Sequence, residues 1–118
     1  MTIQTTPAAR TRTVHPDPAA VAYVDDEHAI VVKDLADGSV SVEDIARRRP
    51  EDISYLVRIV DAIGERARVA ILGPDDLRLA LEREYVAVHH RPDQLVDVED
   101  ASRETAAQLI ARLEELRG

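Results

Sequence analysis

The chain has 118 residues, of which 45% are hydrophobic, 32% charged and 3% aromatic, a balance typical of one soluble globular domain. It contains no cysteine, which excludes disulfide crosslinks, thiolate zinc sites and cysteine nucleophiles. Its 23 acidic and 15 basic residues give a formal net charge of −8, which argues against tight, sequence-independent binding to duplex DNA. The sequence predicts neither a membrane span nor a secretory signal, so a cytoplasmic protein is expected.

The first 19 residues differ in composition from the rest of the chain. They are rich in proline and threonine and show almost no apolar periodicity, which favours a flexible N-terminal arm. A single α/β domain is therefore predicted over residues 20–118.

The part of the chain that follows this arm predicts three strands. The apolar residues there recur with period two or form short runs. These strands are expected at residues 21–24, 29–33 and 39–43. Asp37 and Gly38 fit the second hairpin turn, because an Asp-Gly pair tolerates the positive φ angles of tight turns. Val40 and Val42 alternate with polar residues, so one face of the third strand is expected to be exposed.

The second half of the chain predicts three helices that alternate with two more strands. The helices are expected at 50–63, 74–88, and from Asp100 or Ser102 to 116, and the strands at 68–72 and 95–99. Ile53, Val57 and Val88 belong to the inner stripes of the first two helices, and Pro50 is typical of a helix start. The element order βββαβαβα predicts a mixed five-stranded sheet of the ribonuclease H-like type.

Acidic residues near the predicted strand ends raise the question of metal-dependent chemistry. A two-metal nuclease needs converging carboxylates, one of them within the first strand. Asp25 and Asp26 follow that strand instead, and Asp75 is explained as a helix-start residue. A divalent-metal phosphodiesterase that uses these three residues is therefore kept only as an alternative.

Histidine also suggests a metal site. His89, His90 and Asp93 have side chains that can ligate a metal, but a histidine at a helix C-terminus is already favourable through the helix dipole. With four glycines, the chain has no glycine-rich phosphate-binding loop. We expect neither a cofactor nor a metal.

The basic residues most suited to binding a partner form two groups. Arg10 and Arg12 lie in the predicted arm, and Arg47, Arg48 and Arg49 precede the first predicted helix. Guanidinium groups bind phosphate well, so these five arginines are the candidate contacts to RNA or to another partner. The alternative is that both groups are simply solvated.

The second half of the chain also resembles a known family. The residues that carry the resemblance are 69–74, Arg78, Leu81, Tyr85, His89, Val96, Val98, Glu99, Gln108 and Leu109. They resemble a small bacterial protein family related to Pelota and to the archaeal and eukaryotic peptide-chain release factors. The resemblance, over roughly residues 20–117, implies the ribonuclease H-like core of the central domain of those factors and ribosome binding during stress or dormancy.

The same resemblance sets a limit on activity. The Gly-Gly-Gln tripeptide that release factors use for peptidyl hydrolysis is absent from this chain. We therefore expect a non-enzymatic module that binds the ribosome or a translation factor. The alternative to a ribosome role is a protein-interaction or self-associating module, a homo-oligomer, that uses a free sheet edge at residues 39–43.

Overall fold

A computed structural model describes residues 18–116, and this part of the chain forms five strands and three helices. They are β1 (Ala19–Val24), β2 (His28–Asp34), β3 (Val40–Ala46), α1 (Tyr55–Ile63), β4 (Arg68–Gly73), α2 (Leu77–His89), β5 (Leu95–Asp100) and α3 (Ala106–Leu116). A single 3-10 turn, Pro92–Gln94, precedes β5. This confirms the predicted element order.

Most of the predicted N-terminal arm lies outside the described residues, and Arg10 and Arg12 lie there with it. Strand β1 begins at Ala19, one residue before the predicted start of the domain. No helix between residues 18 and 116 is long and apolar enough to cross a membrane.

The five strands form one mixed sheet in the order β3-β2-β1-β4-β5. Strand β2 runs antiparallel to β1 and to β3, whereas β4 runs parallel to β1 and to β5. The carboxyl ends of β1, β3, β4 and β5 therefore lie at one end of the sheet, which we call the carboxyl end. This topology confirms the predicted ribonuclease H-like fold.

Strand β1 is the centre of the structure, and all six of its residues are buried. Successive side chains in a strand point to opposite faces. Ala22 and Val24 accordingly belong to the core under α1 and α2, while Val21 and Tyr23 belong to the core under α3. Because helices cover both faces, β1 is apolar along its whole length instead of alternating with polar residues.

Strand β3 forms one edge of the sheet and is the least buried strand. Its Val40 packs against the core under α3, and Ile45 packs against the opposite core. Val42 remains 47% exposed, because α3 lies over β1 and β2. The predicted exposed face is therefore only part of the picture, since both faces of β3 are partly open to solvent.

The first helix begins later than predicted. Residues 50–53 form turns, and α1 starts at Tyr55 with Ser54 at the N-cap. The prediction that Ile53 belongs to the inner stripe of this helix is wrong, because Ile53 lies before the helix and is 94% exposed. The physical reason is that the Asp52 carboxylate accepts hydrogen bonds from the amide and the hydroxyl of Ser54, which holds this segment in a turn.

The other two helices also begin later than predicted. Helix α3 starts at Ala106, and its first turn is closed by a reciprocal pair of hydrogen bonds between Thr105 and Gln108, which is a capping box. The predicted caps are wrong, because Asp100 still belongs to β5 and Ser102 lies four residues before α3. The inner-stripe assignments of Val57 and Val88 are also wrong, since these side chains are 43% and 46% exposed.

Candidate partner-binding surface

The carboxyl end of the sheet brings together the loops that carry the candidate residues. They are residues 25–27, 47–54, 74–76 and 101–105. In open α/β sheets, ligands bind at this end, where the strand order reverses. The reversal occurs at β1, which has β2 on one side and β4 on the other. Gly73 lets the ends of β1 and β4 approach, since a Cβ there would lie 2.4 Å from the Val24 carbonyl oxygen.

Asp25 is buried at this end, and its carboxylate accepts hydrogen bonds from the turn after β1 and from Tyr23 in β1. Its Oδ1 accepts hydrogen bonds from the amides of Glu27 (2.8 Å) and His28 (2.9 Å), and its Oδ2 accepts one from the Tyr23 hydroxyl (3.0 Å). Burial by itself favours the neutral acid, but these hydrogen bonds hold the pKa of Asp25 below its usual range. Asp25 thus fixes the turn.

The three carboxylates of the phosphodiesterase alternative do not form a metal site. Asp26 and Asp75 line one shallow cleft, but Arg47 and Arg83 line it as well. Asp75 also accepts a hydrogen bond from the Leu77 amide (2.9 Å) at the start of α2. Across residues 18–116, no group of three or more histidine, aspartate or glutamate side chains is placed to hold a metal ion.

The candidate metal ligands near the end of α2, which are His89, His90 and Asp93, each make another contact in the structure. The His89 ring packs on the Tyr85 ring, with 4.6 Å between the ring centroids. His90 adopts the left-handed conformation and ends α2, and its amide donates to the Val86 carbonyl. Both carboxylate oxygens of Asp93 accept hydrogen bonds from the Arg91 guanidinium. The side chain of Asp93 is thereby paired with an arginine.

Residues 47–54, which we call the arginine loop, are organised by Asp52. Its Oδ1 accepts from the amide (3.1 Å) and hydroxyl (2.7 Å) of Ser54, and its Oδ2 accepts from the Arg48 amide (3.1 Å) and the Arg58 guanidinium (2.5 Å). These bonds, led by the Ser54 hydroxyl, hold the pKa of Asp52 well below its usual range. One carboxylate therefore ties both ends of the loop together.

Arg47 faces inward from this loop. Its guanidinium carbon lies 5.6 Å from the centroid of the Tyr55 ring, a cation–π distance, and its guanidinium also donates to the Pro50 carbonyl. Its backbone amide donates to the Glu27 carbonyl (2.9 Å) and joins the loop to the β1–β2 turn. Arg47 therefore contributes mainly to the structure of the loop.

Arg48 and Arg49 face solvent. The Arg49 side chain is 71% exposed, and its Nε lies 3.5 Å from a carboxylate oxygen of Glu51, so that this ion pair is weak and easily exchanged. Of the three arginines predicted in this loop, two are therefore free to meet a partner. Neither side chain is buried against the sheet or the helices.

Two pairs of residues that organise these loops have sequence signals, and each signal competes with another one nearby. Asp52 and Ser54 form an Asp-x-Ser pattern, which is typical of turns closed by a side chain, but the preceding proline favours a helix start. Thr105 and Gln108 match the capping-box spacing. The competing signals are Pro50 for α1, and Asp100 and Ser102 for α3.

No protein family model matches this sequence, and no curated protein matches it significantly. Solved structures do match its fold. Pelota of Archaeoglobus fulgidus superposes with a TM-score of 0.61 at 10% identity, over 86% of this chain and 32% of Pelota. Dom34 of S. cerevisiae, a translation termination-like factor involved in RNA quality control pathways and interacting with Hbs1, superposes with a TM-score of 0.55 at 10% identity.

The Dom34 superposition covers 84% of this chain and 35% of Dom34. This chain therefore spans about a third of the length of each of the two proteins. The likeness confirms the predicted structural relationship to Pelota. At 10% identity it concerns the fold, and function has to be argued from the surface of this chain.

Proposed function

We propose that this chain is a non-enzymatic, cytoplasmic binding module of the translation machinery that contacts the ribosome or a translation factor during stress or dormancy. The observation that carries the proposal is the fold likeness, which covers 86% of this chain and places it beside Pelota and a translation termination-like factor.

A binding role also fits the chemistry of the carboxyl end. Asp25, one of the three carboxylates of the phosphodiesterase alternative, accepts three hydrogen bonds from the protein itself. The cleft beside it mixes aspartates with arginines, and such a cleft repels neither cations nor anions strongly. Within residues 18–116, these surroundings provide no group of carboxylates placed for two-metal catalysis.

The arginine loop is the contact that we propose for this partner, with Arg48 and Arg49 as the exposed cations. Asp52 fixes their backbone, which reduces the conformational entropy that is lost on binding. Arg10 and Arg12, which lie outside the described residues, remain the second proposed contact.

Sedimentation of a cell lysate through a sucrose gradient tests this proposal. We expect the chain to sediment with ribosomal particles at low salt and less so at high salt, because the proposed contacts are charged. Arg48→Glu/Arg49→Glu is expected to move the chain to the light fractions, whereas Arg91→Glu, which changes an exposed arginine after the end of α2, keeps it with the particles. A wild-type chain found only in light fractions contradicts the proposal.

A self-associating module is the second candidate, and one observation favours it. Strand β3 ends the sheet with Val42 47% exposed, and a free edge strand can pair with another chain. Light scattering of the purified chain tests this candidate. A dimer that Val42→Lys converts to a monomer supports it, and a monomer at high concentration removes it.

A further inference from the structure

Ile53 is the most exposed large apolar side chain between residues 18 and 116. It is 94% exposed, whereas the other large exposed hydrophobic side chains there reach at most 48%. Single exposed apolar residues are common on protein surfaces. What distinguishes Ile53 is its setting.

The backbone on both sides of Ile53 is fixed. Asp52 precedes it and Ser54 follows it, and the Asp52 carboxylate binds both the amide and the hydroxyl of Ser54. The Asp52 amide donates to the Arg49 carbonyl (3.0 Å), and the Tyr55 amide donates to the Asp52 carbonyl (3.2 Å). Ile53 is thus held at the tip of an ordered turn, and an ordered anchor loses little backbone entropy when it binds.

Arg48, Arg49 and Ile53 line the same shallow depression, together with Glu51, Asp52 and Ser54. The Asp52 carboxylate is already paired with the Arg58 guanidinium. An aliphatic side chain beside exposed arginines is a common arrangement at protein–protein interfaces, where arginine is enriched and buried apolar anchors carry much of the affinity. The two guanidinium groups are complementary to carboxylates. The depression therefore fits an acidic protein surface.

Contact with RNA fits the same residues less well. Recognition of unpaired bases uses aromatic side chains as stacking surfaces. This chain has no Phe and no Trp, and Tyr23, Tyr55 and Tyr85 are buried.

We propose that Ile53 is the apolar anchor of a docking surface that it forms with Arg48 and Arg49. Its occupant is an apolar socket rimmed by carboxylates on a protein component of the ribosomal particle. This inference rests on the proposed function and deepens it, because it names protein instead of RNA as the chemistry that the arginine loop meets.

Binding of the purified full chain to purified ribosomal particles tests the anchor. Ile53→Ala is expected to weaken binding about tenfold at low and at high salt, because the lost contact is apolar. Arg49→Gln weakens it mainly at low salt. Val96→Ala, which truncates a side chain 48% exposed on β5, is the matched control and leaves binding within about twofold. Neither Ile53→Ala nor the control is expected to alter folding.

A photoreactive benzoylphenylalanine placed at position 53 identifies the class of the occupant. We expect a crosslinked product on the particle that resists ribonuclease and contains a peptide with Asp or Glu residues. A product that ribonuclease digests, or one formed only with a second copy of this chain, overturns the inference.

The two proposals fail in different ways. If the wild-type chain does not bind the particles at either salt concentration, both are overturned. If it binds and Ile53→Ala binds equally well, the inference about Ile53 is overturned and the proposed function stands.

Discussion

Strand β1 and the arginine loop meet at the carboxyl end of the sheet, and different interactions hold them in place. Every residue of β1 is buried between two apolar cores, so its position follows from many nonspecific contacts. The arginine loop contains no buried apolar side chain, and its shape depends on the hydrogen bonds of Asp52. A substitution should therefore affect overall stability in the first region and local geometry in the second.

The largest effect is expected from Ile71→Ala, in β4 next to β1. Ile71 is fully buried, and truncating such a side chain leaves a cavity that costs about 3 kcal/mol of unfolding free energy. Urea denaturation followed by circular dichroism measures the loss. Val96→Ala serves as the control, with a loss below about 0.5 kcal/mol, and equal losses in the two variants would be inconsistent with the assignment of the core.

Asp52→Ala separates the two regions most clearly. It should lower stability less than Ile71→Ala does, yet weaken partner binding more, because Arg48 and Ile53 lose their fixed backbone. The pKa of Asp52 is lowered in the folded state, so its contribution is present above the ordinary aspartate pKa and disappears as the pH falls below it. Urea denaturation from neutral to acidic pH should show the two proteins converging; a constant difference would contradict this role.

Alkaline pH tests the hydrogen bond that the Tyr23 hydroxyl, in β1, donates to Asp25. Burial and the neighbouring Asp25 carboxylate raise the pKa of Tyr23 to about 12. Because the folded-state value lies above the unfolded-state value of 10.0, the stabilisation is complete below pH 10 and is lost as the pH rises towards 12. Thermal unfolding from neutral to alkaline pH should show this loss, and Tyr23→Phe should reduce its slope. An unchanged slope in that variant would remove Tyr23 from the explanation.

The smallest of these effects is expected at the start of α3. Thr105→Ala removes the hydroxyl that accepts the Gln108 amide (3.2 Å), and the loss of a helix cap costs about 1 kcal/mol. Thr105→Ser keeps the hydroxyl and serves as the control. Stability equal to wild type in Thr105→Ala would show that the capping box contributes nothing to the fold.

The difference between apolar packing in β1 and side-chain hydrogen bonds in the arginine loop also explains how far the sequence can predict the structure. The five strands are predicted because aliphatic runs and Asp-Gly turns are local patterns, and Gly38 indeed adopts a positive φ of 89°. The start of α1 is not predicted, because Pro50, Glu51 and Asp52 satisfy the local rules for a helix start equally well. The turn forms instead because the Asp52 carboxylate binds Ser54. The side chain of Arg58, one turn into α1, also reaches back to Asp52.

The candidate surface was only partly accessible to prediction. The arginines were identified as a group, but their orientations depend on Tyr55, which attracts the Arg47 guanidinium, and on the turn that presents Arg48 and Arg49. Ile53 was predicted to be buried because apolar periodicity continues through it. Only the structure shows that the helix has not yet begun at this residue.

We propose that this chain binds the translation machinery through a preformed arginine loop. Equilibrium binding of the purified full chain to purified ribosomal particles, compared with protein-free ribosomal RNA from the same particles, tests it most directly. We predict binding to the intact particles that Asp52→Ala weakens, and much weaker binding to the RNA alone. Absence of binding to the particles at low salt would contradict the claim.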